Sequence, residues 1–223
     1  MSQPARRAAA ARRSEAAAKG RERIERRQVD KFAARRAELA SAALHTLAEL
    51  GYARTSLREI AQNSPYSHGV LHYYFTDKVD LITDCVRQYK AECVKRYDEI
   101  VDDSRTAAQL RLGFARGLAA TMVEDAALHR LWYDLRSQSM FEESFRDDVA
   151  AIDKSLERMI WRIVSRYAEL VGVELAVAPS YAYALFDGMF QHGLLHHLAG
   201  DATAARTLRR QVGVALDQLV ASR

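Results

Sequence analysis

The chain has 223 residues, enough for one large domain or two modest ones, and its 49% hydrophobic and 28% charged content is that of an ordinary soluble globular protein. No apolar run reaches the ~18 residues of a membrane span, and no apolar segment follows Arg6-Arg7 or Arg12-Arg13 as an export signal requires, so the expected location is the cytoplasm, with no membrane partner. The net charge of +4 is uneven: residues 1–78 hold 15 Lys and Arg against 8 Asp and Glu, while the remainder holds 18 against 21. Positive charge gathered at one end suits a polyanion-binding module, because each neutralised phosphate releases counterions.

Prolines occur only at positions 4, 65 and 179, and alanine, leucine and arginine fill the long stretches between them, which predicts an all-α protein. Residues 1–30 carry one large aliphatic side chain beyond Met1, Ile24, and cannot build a core; they read as a basic arm, flexible or transiently helical, either solvated or lying against DNA. From Lys31, Phe32, Leu39, Ala43, Leu47 and Leu50 recur at helical spacing up to Gly51, a C-cap candidate. A short second helix starts at Thr55-Ser56, where Ser56 and Glu59 fit a capping box, and ends before Pro65. A third covers about Ser67 to Phe75. Thr76-Asp77 then caps a long fourth helix from about Lys78 to Val101.

Five further helical segments are expected at about 105–124, 126–139, 144–171, 180–199 and 202–221, with breaks at Gly172, Pro179 and Gly200-Asp201. Cys85 and Cys93 lie eight residues apart on the fourth helix, roughly 12 Å, too far for an intrachain disulfide. The expected architecture is a three-helix helix-turn-helix head (31–80), joined by a long helix to a helical ligand-binding and dimerisation body (81–223).

The third helix carries the strongest chemical signal. Leu71 and Phe75, four apart, form one apolar stripe that can lock it to the helices behind. Its other faces carry Ser67, His68, Val70, His72, Tyr73 and Tyr74, all able to meet base edges or phosphates, with Arg58 and Lys78 beside them. Such a helix suits a major groove about 12 Å wide.

On these residues the sequence resembles the tetracycline-repressor-like (TetR) regulators. The similarity lies in GYARTSLREIA (Gly51–Ala61), S-x-G-x-L-x-x-Y-F (Ser67–Phe75) and D-K-x-D-L (Asp77–Leu81), and it covers about residues 31–80. Pro65 stands where the family usually has a turn glycine, and His72 where it most often has tyrosine; both bear on turn geometry and operator preference. The resemblance implies that Arg58 reaches a base edge or phosphate, that Val70 and Tyr73 face bases, and that Ser67, His68, His72, Tyr74 and Lys78 hold phosphates or neighbouring edges. Ser56 would offer its backbone amide to a phosphate.

The resemblance also implies a body that dimerises and takes a small effector. Residues 180–221 fit the dimerising pair, with Ala184, Gly188, His192, Leu195, His196 and Leu216 at the interface and Gly193 allowing close helix approach. Phe114, Met122, Trp132, Tyr133, Met140, Phe141, Met159 and Phe186 are candidates to line an apolar pocket, with Arg136, Tyr183 and Gln191 as its polar edge. His192 and His196 have a spacing that can bind zinc, but nearby residues offer no cysteine or carboxylate set to complete a site, so the plainer reading is a dimer face or pocket rim. Phosphate-loop, nucleophile-elbow, HExxH and Cys-x-x-Cys patterns do not occur, and neither an enzyme nor a cofactor is expected. The predicted function is a sequence-specific DNA-binding regulator, a repressor released from its operator by a small, largely apolar ligand. The alternative is a DNA-binding architectural or partner-regulated protein without a small effector.

Overall fold

The computed structural model describes residues 3–51 and 55–221, with side chains from Glu22 onward apart from Ile24, Glu25 and His45. The arm's arginines up to Arg21 and residues 52–54 of the family-like motif therefore lie outside the described side chains. Among the described residues all regular structure is helical: α1 (Gln3–Leu50), α2 (Leu57–Gln62), α3 (His68–Tyr74), α4 (Lys78–Asp103), α5 (Ala107–Glu124), α6 (Ala126–Gln138), a 3-10 turn (Glu143–Phe145), α7 (Arg146–Val171), α8 (Pro179–Leu198) and α9 (Ala204–Ala221).

α1 reaches much further back than its apolar pattern. It runs 48 residues to Gln3, about 72 Å, because the arm is made of good helix formers even though positions 26–34 are exposed. Its buried stripe is Leu39, Ala40, Ala43 and Leu47, while Phe32 and Leu50, expected on that stripe, lie at its exposed ends. Gly51 ends it with a φ of 76° and an amide bonded to the Leu47 carbonyl at 2.8 Å, the left-handed cap a side chain would strain.

The head is held by local chemistry first. Ser56 Oγ accepts from the Glu59 amide (3.2 Å) and Glu59 Oε2 accepts from the Ser56 amide (2.7 Å), closing the capping box on α2. Asp77 Oδ1 accepts from the Asp80 amide at 2.9 Å to start α4. Behind these caps, Leu57, Ile60, Leu71, Phe75, Leu81 and Ile82 bury themselves against the α1 stripe. Cys85 and Cys93 are separate buried thiols, and Cys85 Sγ donates to the Ala40 carbonyl across the α1–α4 contact.

In the body, α4 packs on α7, α7 on α8, and α8 and α5 on α9. α7 presents Val149, Ile152, Leu156, Ile160, Ile163 and Tyr167 inward at helical spacing. Gly193 is needed where α8 crosses α9: a Cβ there would sit 3.0 Å from Met122 Sδ and 3.5 Å from Leu208 Cβ. Tyr167 and Arg111 both bond Asp217, tying α7, α5 and α9 together at 2.7–3.0 Å. No described helix is long and apolar enough to cross a membrane.

Candidate nucleic-acid interface and body cavity

α3 has two distinct sides. Leu71 and Phe75 are fully buried, and Ser67 Oγ caps the helix by accepting from the Val70 amide at 3.3 Å. Ser56, Arg58, Ser67, His68, His72 and Tyr73 are exposed, Tyr73 by 72%, whereas Val70, Tyr74 and Lys78 are half-buried. His68 and His72 meet edge to face, with ring centroids 4.3 Å apart. Tyr74 leans on Phe32 of α1 (4.8 Å between centroids), so part of its ring is committed to the head.

One expected role is corrected. The Ser56 amide, expected to bind phosphate, donates to Glu59 Oε2, because an acidic residue three positions on captures it before any ligand can. Gly69 supplies a signal that sequence reasoning passed over. A Cβ there would meet nothing within 4 Å among the described residues, so their packing does not account for a glycine at this position. Gly69→Ala is expected to leave stability unchanged or raise it by up to about 1 kcal/mol, while lowering DNA affinity several-fold, as read by thermal denaturation and mobility shift.

Arg36 of α1 fixes how this head sits on α4. Its guanidinium donates to the Tyr74 carbonyl (2.7 Å), to both oxygens of Asp80 and to Asp84 Oδ2 (3.1 Å), and lies 4.4 Å above the Phe75 ring. One side chain thus joins α1, α3 and α4.

The body holds a cavity of about 60 Å³ between α4, α5, α6, α7 and α8. That is room for about four waters. Trp132, Tyr133, Met159, Tyr183 and Phe186, expected at a pocket, line it. An outer cleft of about 490 Å³ shares Tyr133 and Asp187 as walls and takes in Arg136, Met140 and Gln191. Three expected pocket residues fall elsewhere. Phe114 and Met122 are core side chains with no exposure and no place on the cavity wall, because α5 turns them toward Tyr97, Phe186 and the α8–α9 crossing. Phe141 follows the end of α6 and is 81% exposed.

The cavity also contains residues that sequence reasoning missed. Lys90 is buried on its wall; its Nζ bonds His129 Nδ1 at 3.1 Å, and His129 Nε2 bonds the Tyr89 hydroxyl at 3.0 Å. Burial lowers the Lys90 ammonium to about 8. Burial first, and the Lys90 and Arg96 charges next, hold His129 well below its ordinary range, so it is neutral at pH 7. A signal was present: Lys90 falls in the apolar stripe Ile82, Val86, Cys93 and Tyr97 of α4, where a lysine has no structural reason to be. At the mouth, Asp187 accepts from Arg136 Nη1 (2.5 Å) and the Tyr133 hydroxyl (3.0 Å), and Asp153 accepts from Tyr183 (2.7 Å).

The expected dimer residues divide. Ala184, Gly188, His192, Leu195 and His196 are exposed along α8, and a Cβ on Gly188 would meet nothing. Leu216 is 0% exposed within its own chain and cannot reach a partner, because it lies on the side of α9 that faces the core. His192 and His196 stack 4.5 Å apart, and no described group of three ligating side chains converges on a metal position.

A capped pair of short helices, the second presenting a polar and aromatic face, on an all-helical body defines a helix-turn-helix DNA-binding protein. Over residues 39–85 the chain matches the model of the bacterial regulatory proteins of the tetR family. It is 28% identical over 194 residues to the HTH-type transcriptional regulator BetI of Burkholderia mallei, covering 85% of this chain and 95% of that protein. Its fold is similar to that of a TetR transcription regulator from Haloarcula marismortui, at a TM-score of 0.64 and 21% identity over 84% of this chain and 99% of that one. It is also similar to FadR from Bacillus subtilis, solved in complex with stearoyl-CoA, at a TM-score of 0.65 and 18% identity over 83% and 97% of the two chains.

Proposed function

We propose that this regulator is a homodimeric repressor whose head (31–80) binds a palindromic operator and whose body (81–223) releases it when a small effector enters the cavity, with residues 1–30 adding a basic arm. The observation that carries the reading is the division of α3: Leu71 and Phe75 hold it from behind, and an exposed row of polar and aromatic side chains is left with no use inside the fold. Arg58, His68, Val70, His72 and Tyr73 read or grip the groove, with Ser67, Tyr74 and Lys78 at its edges.

Two copies pair through the open face of α8. Tyr181, Ala184, Gly188, His192 and Leu195 repeat every three or four residues along it, and Leu185 and Met189 border a groove of about 230 Å³ toward Val214 of α9. Pairing sets two heads ~34–36 Å apart, one turn of duplex.

Signal transfer runs through α6. His129 faces the cavity, and the next residue, Arg130, donates to the Ala48 and Glu49 carbonyls (2.7 and 3.2 Å) at the end of α1. An effector that shifts α6 therefore moves the head and changes the population of binding-competent spacings. A stearoyl chain, seen with FadR, is far larger than this cavity, so a smaller effector fits better.

The test is a genomic DNA pull-down with the purified protein, followed by mobility shifts on the enriched fragments. One palindromic site is expected, bound at least about 30-fold more weakly by the Arg58→Ala/Tyr73→Ala variant, since each lost contact is worth ~1–3 kcal/mol. No enrichment at low salt would sink the reading. The small size of the cavity favours the second reading, a partner-regulated DNA-binding protein, if an operator is found that no small molecule releases.

A further inference from the structure

The cavity wall carries one ammonium with a single neutral partner and one N–H without an acceptor among the described residues. Lys90 is buried among Leu118, Trp132, Leu156, Met159, Ile160 and Phe190, and among the described residues its side chain has one hydrogen-bond partner, a neutral imidazole. No described carboxylate lies within ion-pair distance of it. The indole Nε1 of Trp132, on the same wall, is buried with no partner at all, and Lys90 Nζ lies 5.5 Å from the centre of that indole. The two acids nearest the mouth are already engaged: Asp187 by Arg136 and Tyr133, and Asp153 by Arg136 and Tyr183. A buried ammonium beside an orphaned N–H is costly to maintain unless something absent from the chain completes it.

Resting on the effector reading above, we propose that the effector is a small organic carboxylate, whose two oxygens take the Lys90 ammonium and the Trp132 N–H while a short apolar body lies against Leu156, Met159, Ile160 and Phe190. A carboxylate supplies one negative charge and acceptors for both donors, the complement that the site lacks. The volume limits the part held inside to a few heavy atoms, and a longer acid would extend past Tyr133 into the outer cleft. A cationic effector is disfavoured, because it would meet the Lys90 charge in a medium of low dielectric with Asp187 already paired.

The test is isothermal titration calorimetry on the full-length protein with butyrate, hexanoate and octanoate, each against its primary amide, and with butyltrimethylammonium. At least one carboxylate is expected to bind 50-fold or more tightly than its amide, with no binding of the ammonium probe. Lys90→Met is expected to raise the melting temperature and to abolish carboxylate binding; a variant more stable than the parent cannot have lost binding by unfolding. Amides or the ammonium probe binding as well as the acids, undiminished binding by Lys90→Met, or no acid binding at all would each overturn the proposal. Mobility shifts with the same acids are read separately. Acids that bind the protein yet leave the operator complex intact would support the site while refuting effector-driven release.

Discussion

Leu71→Ala is expected to lower the stability of the protein by about 3 kcal/mol, measured by urea denaturation followed at 222 nm. Leu71 has no exposed surface and is the only fully buried residue within α3 itself, with Phe75 just beyond it. Truncation removes three carbons from water-free contact and leaves a cavity between α1, α2 and α3 that backbone capped at Ser67 and Asp77 cannot collapse to fill. Tyr73→Ala, two residues on, should cost under about 1 kcal/mol, because its ring makes only edge contacts with Phe32 and Tyr74 and is otherwise in water. The consequences for DNA run the other way. Tyr73→Ala should weaken operator binding at every temperature, whereas Leu71→Ala should weaken it only as the head melts. Equal stability losses for the two variants would mean that α3 is not held by the stripe described here.

The head was legible because its determinants are local. The Ser56–Glu59 box, the Asp77 cap and the Gly51 terminator are short-range patterns, and each appears at its expected position. The same locality failed once. The Ser56 amide cannot serve both the box and a phosphate, a conflict already present in the spacing of Ser56 and Glu59. In the body, helix boundaries were legible to within about two residues, but helix rotation was not. Whether Phe114 or Leu118 of α5 meets the cavity depends on how α5 is turned against α8 and α9, which no local pattern records. Of the large side chains expected at a pocket, Trp132, Tyr133, Tyr183 and Phe186 therefore line the cavity, whereas Phe114, Met122 and Phe141 do not. The residue that most constrains the cavity's chemistry, Lys90, was hidden for the opposite reason: a search for large apolar side chains passes over a lysine in an apolar stripe.

Arg36→Ala is expected to destabilise the protein by about 2–4 kcal/mol and to weaken DNA binding beyond what that loss explains. The stability term comes from leaving Asp80, Asp84 and the Tyr74 carbonyl, all partly buried, without their shared donor. The binding term is geometric. Arg36 bonds the C-terminal end of α3 and the first turns of α4 to α1 at once, so without it α3 stays folded but is less well aimed. Arg36→Lys should recover less than half of the loss, since a point ammonium cannot span three acceptors that a planar fork reaches together. Acid gives an independent check. Burial pushes the Asp80 carboxyl up, but the Arg36 hydrogen bonds, the Thr76 amide and the guanidinium charge outweigh it, leaving it below its ordinary value. A folded value below the unfolded one, about 3.9, means that this stabilisation is complete above that pH and is lost as the pH falls through the folded value. The gap between wild type and Arg36→Ala should therefore be constant from pH 7 to 5 and close below about pH 4. A gap that persists into strong acid would assign the effect to packing of Arg36 on Phe75, 4.4 Å away, instead of to the charge cluster.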